Sequence, residues 1–274
     1  MNVILFSLAL PFYLASTTVY EAYLVLRASW ARRWGTRLLL VAIGLHAAAL
    51  SLRWWEAGHL PLSNRFETLS AYAFLLAIAY LGVETYSERK VVGAFVVPLI
   101  FLLYFAAAAL PKNIGQLEPQ LRSPWLGVHA GLFFLAYTFM SLAFAAAVVY
   151  LLQERGLRQK RPGAWYYRLP SLSRMDNLSH NLAAIGFPLM SLAILAGSLW
   201  ARKAWGSFWV SDPKLNLALL TWLIYVIYFF LRHGMGWRGR RAAWVLVVGF
   251  VSVILTYFGA AALSPGPHNF LGQG

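Results

Sequence analysis

Eight long apolar stretches limit the fold of this 274-residue chain more than any other feature. A transmembrane helix needs roughly 20 mostly apolar residues to cross the hydrocarbon layer, and each stretch is near that length. Together they use most of the chain and leave no room for a second, soluble domain. We therefore predict an all-α, polytopic membrane helical bundle that forms one domain over 1–274, with about eight transmembrane helices at 3–26, 38–53, 68–84, 91–110, 126–153, 181–200, 215–231 and 242–263.

The composition agrees with a membrane protein and removes one class of function. Hydrophobic residues make up 60% of the chain and charged residues only 12%, well outside the usual range of soluble domains. The chain has no cysteine, so it cannot relay electrons through a dithiol or bind a metal through thiolate. Thiol–disulfide transport is therefore excluded.

The basic residues predict how the helices are oriented. The formal net charge is +14, but Lys and Arg cluster between the apolar stretches, where membrane topology explains them better than nucleic-acid binding. If the stretches alternate in direction, 16 of the 23 Lys and Arg residues lie in the odd-numbered connections and 7 lie on the other side. The positive-inside rule then places the odd connections in the cytoplasm and both termini outside.

This orientation sorts the histidines. It brings three of them, from segments far apart in sequence, to the outer face: His59, His129 and His268. The remaining three lie at the cytoplasmic edge or in mid-membrane: His180, His233 and His46. A lone histidine in such a protein is usually a hydrogen-bonded structural residue, and we interpret His59 and His180 in this way. Three imidazoles on one face nevertheless favour a shared ligand.

A tryptophan-rich loop is predicted on the same outer face, between the sixth and seventh helices. Trp205 and Trp209 flank Gly206, and the loop ends in Asp212-Pro213-Lys214. An interfacial aromatic belt accounts for many tryptophans at a membrane surface. A flexible loop with planar aromatic walls and nearby basic groups also suits a flat apolar ring that carries acidic side groups. Haem has these properties, and neutral imidazole is a normal axial ligand of its iron.

Several motifs make the chain resemble the CcsA family, also called ResC, the haem-handling membrane component of system II cytochrome c biogenesis. Residues 58–64 (GHLPLSN) are similar to the family's GH-x-P-x-x-N motif. Residues 123–129 (SPWLGVH) are similar to its SNWL-x-x-H segment, which carries the first external histidine. Residues 205–214 (WGSFWVSDPK) resemble the WWD signature, and His268 falls on the second external histidine.

The chain also departs from the family pattern. Ser211 takes the place of the second tryptophan of WWD, and Leu215 takes the place of the glutamate after DPK. The intramembrane histidine of the family falls on Phe230. His233 is three residues further on and is not a clear substitute, whereas His46 is an alternative candidate for that role.

The resemblance implies a cofactor, a site and partners. Haem (haem b) is expected between two axial ligands, His129 and His268, beneath a lid formed by residues 205–214. The other expected contacts come from Trp125, Trp205, Trp209, Asp212 and Lys214. Asp212 is expected mainly to cap the seventh helix, with Pro213 at its first position. Lys214, together with Arg202 and Lys203, is a candidate for pairing with the haem propionates.

The implied reaction is addition of two thiols of an apocytochrome c CxxCH segment across the haem vinyl groups. No catalytic residue is assigned to this chain, which would supply orientation and a ligand field to a cytochrome c haem lyase. The expected partners are a ResB/CcsB-type membrane protein, apocytochrome c and the lipid bilayer. The expected location is the plasma membrane, with the functional loops on the external side.

Two other functions compete with this one. A non-catalytic CcsA-like paralogue of the HemX kind, which regulates haem synthesis, is favoured by the altered WWD loop and by Phe230. The retained pair of His129 and His268 opposes it. A transporter is disfavoured, because the sequence suggests neither a pairing of buried charges nor an inverted repeat.

Overall fold

A computed structural model describes residues 1–26, 30–87, 90–114, 123–160, 169–208 and 213–259 of the protein. Every regular element in these ranges is helical, which confirms the predicted fold class. A 3₁₀ turn at Lys90–Val92 precedes the fourth helix, and a π-helical turn at Leu255–Gly259 follows the eighth. The eight α-helices of the described ranges are α1 Asn2–Leu26, α2 Ala31–Ala57, α3 Arg65–Ser87, α4 Gly93–Ala108, α5 Pro124–Arg158, α6 Leu172–Trp205, α7 Pro213–His233 and α8 Arg240–Ile254.

The helices coincide with the eight apolar stretches. Seven of them, within the described ranges, are long and apolar enough to span a membrane, and α4 is a shorter apolar helix of 16 residues. The helices α5 and α6 have 35 and 34 residues, so each is about 50 Å long and extends beyond a hydrocarbon layer of about 30 Å. The sidedness of the two termini stays a prediction.

The chain divides into two compact units. The first contains α1 to α4 and the last residues of α5, and the second contains the rest of α5 with α6, α7 and α8. In the first unit, α1 packs on α2 and α4, and α3 packs on α4. Its core is rich in fully buried tyrosines, including Tyr13, Tyr80 and Tyr104. The single haem-handling domain over 1–274 stays a prediction.

A buried ion pair joins α2 to α3 in the first unit. The side chains of Arg53 and Glu67 are only 2% and 0% exposed, and Arg53 Nε donates to Glu67 Oε1 at 2.7 Å. The rest of the Arg53 guanidinium donates to the carbonyls of Lys112 and Asn113, both at 2.9 Å. This pair corrects the expectation that the chain has no paired buried charges. Buried charges therefore do not count against a transporter.

The same glutamate caps α3. Asn64 Oδ1 accepts the Glu67 backbone N–H at 2.9 Å, and Glu67 Oε2 accepts the backbone N–H and the hydroxyl of Ser63 at 2.8 and 2.6 Å. Reciprocal bonds of this kind satisfy the donors that a helix leaves unpaired at its start. The motif of residues 58–64 therefore ends in a helix cap that is locked to Arg53.

His46 is fully buried in the first unit and is not placed as an open ligand. Its Nδ1 lies 3.1 Å from the Tyr13 hydroxyl, and its Nε2 lies 2.8 Å from the Ser70 hydroxyl. The Tyr104 ring covers it edge-on, with 4.7 Å between the centroids. Because both ring nitrogens are already hydrogen-bonded, His46 has a structural role in this arrangement.

An ion pair near the start of α6 fixes the α7–α8 connection in the second unit. The carboxylate of Asp176 accepts two hydrogen bonds from Arg232, at 2.8 and 2.9 Å, and a third from the backbone N–H of Gly239 at 2.9 Å. Gly239 has a φ of 63°, a conformation that favours glycine. The helix α7 begins at Pro213, as predicted.

Candidate functional site

Residues of α5, α6 and α7 in the second unit line an apolar pocket, whose empty space of about 430 Å³ includes open solvent. On α5 these residues are His129 and Phe133, one helical turn apart. On α6 and on α7 the lining residues recur at intervals of three and four residues, so they lie on one face of each helix. The remaining lining residues are Ile194, Gly197, Ser198, Trp200, Ala201, Trp205, Phe208, Leu215, Ala218 and Leu219.

His129 is the ionisable side chain in this lining. Its Nδ1 lies 2.8 Å from the backbone carbonyl oxygen of Ala193 on α6. A carbonyl oxygen only accepts hydrogen bonds, so Nδ1 must carry the hydrogen. In the neutral imidazole, Nε2 then carries the lone pair, which is the form that binds a metal.

Two aromatic rings, Phe133 and Trp200, lie beside the imidazole of His129. Phe133 contacts it edge-on, with 4.9 Å between the centroids. Trp200 lies nearly parallel to it, and the Trp205 indole meets Trp200 edge-on at 4.7 Å. The pocket is therefore a flat-walled, mostly apolar space with one imidazole in its wall.

Two exposed cations lie in the last turn of α6, beside the pocket. The guanidinium of Arg202 lies 4.6 Å from the ring centroid of Phe208, a lining residue. Lys203 Nζ lies 5.5 Å from the ring centroid of Trp125. Both contacts are within the range of cation–π interactions. Positive charge is therefore concentrated at the end of α6.

The structure brings together only part of the predicted site. His129 and Trp205 line the pocket, and so does Leu215, one of the departures from the family pattern. Trp125 lies one turn before His129 on α5, but it contacts Lys203 and is not in the lining. Lys214 is half-buried and directly precedes Leu215 on α7.

The other predicted site residues lie outside the described residues, and their contacts stay predictions. They are His268, Trp209, Asp212 and Ser211.

Phe230 takes the position at which the resemblance implies an intramembrane histidine. The Phe230 side chain is 66% exposed on α7, in an apolar helix. His233, one turn further on, lies close to His180 of α6, with 5.4 Å between the ring centroids. The Nδ1 of His180 lies 3.2 Å from the Tyr228 hydroxyl, in keeping with a structural role.

Sequence analysis did not assign to the site three residues that shape the pocket around His129, namely Phe133, Gly197 and Trp200. A signal for the first two was present. Phe133 follows His129 by four residues, and Gly197, Ser198 and Ala201 form a stripe of small residues, which allows close approach in membrane helices. No signal marked Trp200 as buried, because tryptophans at a membrane surface are ordinarily interfacial.

The sequence matches one protein family over most of its length. The statistical model of the family described as Cytochrome C assembly protein matches residues 62–268. This chain belongs to that family. It is 34% identical over 298 residues to "Cytochrome c biogenesis protein CcsA" of Parasynechococcus marenigrum, covering 96% of this chain and 98% of the relative. It is also 34% identical over 271 residues to the protein of the same name from Porphyra purpurea, covering 85% of each.

The fold of this family member also matches a solved structure. "Cytochrome c Heme Lyase CcmF" superposes on 99% of the chain with a TM-score of 0.70 at 17% identity, a likeness of fold alone. The alignment covers 48% of that protein, so the chain spans about half its length. The apolar helices and the family together make the protein a multi-pass membrane protein of cytochrome c assembly.

Proposed function

We propose that the protein is the membrane haem-handling component of cytochrome c biogenesis and holds haem in the His129 pocket for thioether attachment to apocytochrome c. One observation carries the proposal: a hydrogen bond to Ala193 sets the tautomer of His129, in a pocket with flat aromatic walls. In the described part of the chain, no three His, Asp or Glu side chains are grouped to hold a bare metal ion. A single imidazole would suit haem, because the four porphyrin nitrogens already bind the iron and few protein ligands are then needed.

The residues that would hold haem b fall into three groups. His129 and His268 would bind the iron. Trp205, Trp209 and Trp125 would contact or border the ring. Lys214, with Arg202 and Lys203, would neutralise the propionates, and Asp212 would cap α7 and so fix the lid of residues 205–214.

The proposed chemistry needs orientation rather than an acid or a nucleophile from this chain. Each thiol of the apocytochrome adds across a vinyl group, so that sulfur bonds to one carbon and the thiol hydrogen goes to the other. Bound haem supplies these vinyl groups. The chain's own residues position the ring and exclude water from its apolar face, which reduces the entropy cost of the reaction.

The proposal includes partners and a location. A ResB/CcsB-type membrane protein would act with this chain as a cytochrome c haem lyase, and apocytochrome c would be the acceptor. The protein would lie in the plasma membrane, with the His129 pocket open to the external side, as the excess of basic residues in the odd connections favours.

A second candidate is a HemX-type paralogue that binds haem without transferring it. The exposed Phe230, at the position of a family histidine, favours it, because haem would have no imidazole at that point on α7. This candidate shares the His129 pocket and differs only in what happens to the haem.

The test of haem binding is an absorption spectrum of the full-length protein purified in detergent. Wild-type protein is expected to show the low-spin bands of bis-imidazole haem. The His129→Gly variant is expected to lose haem or to become high-spin, and added imidazole is expected to restore the low-spin bands. Wild-type protein without haem, or an unchanged spectrum in His129→Gly, would overturn the proposal.

A further inference from the structure

Gly197 on α6 lies directly against the imidazole of His129. A Cβ built at this position would overlap the Nδ1 and Cε1 atoms of the ring. Glycine, which has no Cβ, therefore allows the ring to lie directly on the helix backbone. Gly131, two residues from His129, differs, since a Cβ there would meet nothing within 4 Å.

The missing side chain also exposes a hydrogen-bond acceptor. In an α-helix, the carbonyl of residue 193 accepts the N–H of residue 197, so any side chain at 197 lies beside that carbonyl. A carbonyl oxygen has two lone pairs, and the second accepts the Nδ1–H of His129 at 2.8 Å. The hydrogen bond from His129 to the Ala193 carbonyl and the close approach of the ring to α6 thus depend on the same glycine.

We propose that the Ala193 carbonyl and the Gly197 backbone form an imidazole seat, which fixes the tautomer and orientation of His129 and strengthens its Nε2 as an iron ligand. Gly197 is then a positioning residue, acting through His129. A hydrogen bond from the other ring N–H holds a ligating histidine in place and raises its basicity. A more basic ligand stabilises ferric over ferrous iron. The effect on iron rests on the proposed function, whereas the effect on the imidazole does not.

A simple packing role for Gly197 is the alternative. Gly186 provides the comparison, because a Cβ there would lie 3.1 Å from the Ala136 carbonyl oxygen and 3.2 Å from Met140, in a contact between α5 and α6. Gly186→Ala therefore perturbs helix packing without touching His129, and Gly131→Ala tests the glycine change alone.

The first experiment needs no haem. We expect Gly197→Ala to lower the melting temperature of the haem-free protein in detergent, and to have no further effect in a His129→Gly background, where the clash is absent. Gly186→Ala is expected to have the same effect in both backgrounds. If Gly197→Ala also lowers the melting temperature in the His129→Gly background, the proposed seat is wrong.

The second experiment measures the imidazole directly. In protein labelled with ¹⁵N-histidine, the His129 signal, assigned by its absence in His129→Gly, is expected to show the Nδ1–H tautomer. Gly197→Ala is expected to abolish that preference, and Gly131→Ala to retain it. A wild-type His129 with its hydrogen on Nε2 would overturn the proposal, whether or not the protein binds haem.

The third experiment uses the haem-loaded protein. We expect Gly197→Ala to weaken haem affinity by about 10- to 100-fold, the range typical for loss of a partner behind a ligand, and to raise the midpoint potential of the haem it retains. Gly131→Ala is expected to match wild type in both. If Gly197→Ala keeps the wild-type haem affinity and midpoint potential, the seat has no role in binding iron. If the wild-type protein contains no haem, the proposed function is refuted. The first two experiments would then still test whether the seat holds the imidazole.

Discussion

The imidazole of His129 and the indole of Trp200 lie nearly parallel, with 26° between their planes and 6.4 Å between their centroids. Trp200 is only 2% exposed, so it belongs to the interior of the second unit and not to an interfacial belt. Another neighbour of Trp200 is Trp205, which also lines the pocket. The two indoles thus connect the proposed ligand to the tryptophan loop.

The first prediction concerns this loop. Replacing Trp205 and Trp209 together with Ala is expected to weaken haem retention by about two orders of magnitude or more, because each buried aromatic contact is worth on the order of 1.5–3 kcal/mol. Haem occupancy after extended dialysis in detergent measures the loss. Trp55→Ala is the matched control, since that indole is 87% exposed. If the double variant keeps wild-type occupancy, these tryptophans belong to the membrane interface.

Sequence reasoning predicted the helices well because apolar length is a local property. It located all eight helices of the described ranges, and its motifs singled out His129 and Trp205, which both line the pocket. It could not decide which tryptophans turn inward, because that depends on how α5 and α6 face each other. Trp125 has the same helical spacing to His129 as Phe133, yet only Phe133 lines the pocket.

The buried ion pair was missed for a related reason. Glu67 follows the motif of residues 58–64 by three residues, and its capping contacts are local. Its partner Arg53 lies on the preceding helix, and the two carbonyls that Arg53 also contacts come after α4. No sequence pattern at any one of these positions specifies the others.

The second prediction tests this ion pair. Arg53→Met is expected to lower the free energy of unfolding by about 3–5 kcal/mol, because Glu67 would be left as an unpaired buried charge. Denaturation in mixed detergent micelles measures the change. Arg53→Met combined with Glu67→Leu is expected to be less destabilised than Arg53→Met alone. Arg158→Met, which removes an exposed pair with Glu154, is the control and is expected to cost about 0–1 kcal/mol. A similarly small cost for Arg53→Met would contradict the prediction.

The third prediction separates a structural from a ligating His46. His46→Phe keeps a ring in the site but leaves the hydroxyls of Tyr13 and Ser70 without their present partner, at about 1–3 kcal/mol each. We therefore expect lower thermal stability with an unchanged number of haems per protein. A folded His46→Phe variant that has lost haem would show that His46 replaces the intramembrane histidine after all.

The fourth prediction concerns topology, which rests on the distribution of Lys and Arg. A reporter that is active only outside the cytoplasm is expected to be active when fused after Gly274. Because the chain has no cysteine, single cysteines provide an independent test without background. In intact cells, a membrane-impermeant maleimide is expected to label Trp55→Cys and to spare Arg158→Cys, both of which are exposed side chains. The reverse labelling would invert the assignment of His59, His129 and His268 to the outer face.

The fifth prediction separates the two leading functions, and it begins with the second proposed ligand. If His268 shares the iron with His129, His268→Gly is expected to leave iron with one protein ligand and a vacant position. Its haem is then partly lost or high-spin, and added imidazole restores the low-spin spectrum by filling the vacancy. His59→Gly and His180→Gly are the controls and are expected to keep the wild-type spectrum. A low-spin spectrum retained in both His129→Gly and His268→Gly would exclude this pair as ligands.

Cytochrome c maturation then decides between attachment and regulation. In a strain that lacks the protein, the haem lyase function predicts that holocytochrome c, measured by haem staining of denatured protein, is lost and returns with the wild-type gene. His129→Gly and His268→Gly are expected not to restore it without imidazole, because unligated haem is not held in one orientation for thiol addition. Normal maturation in the deletion strain, with haem binding intact in the purified protein, would leave the pocket in place but remove the lyase function. The HemX-type paralogue would then be the better account, since haem would be bound without being attached to cytochrome c.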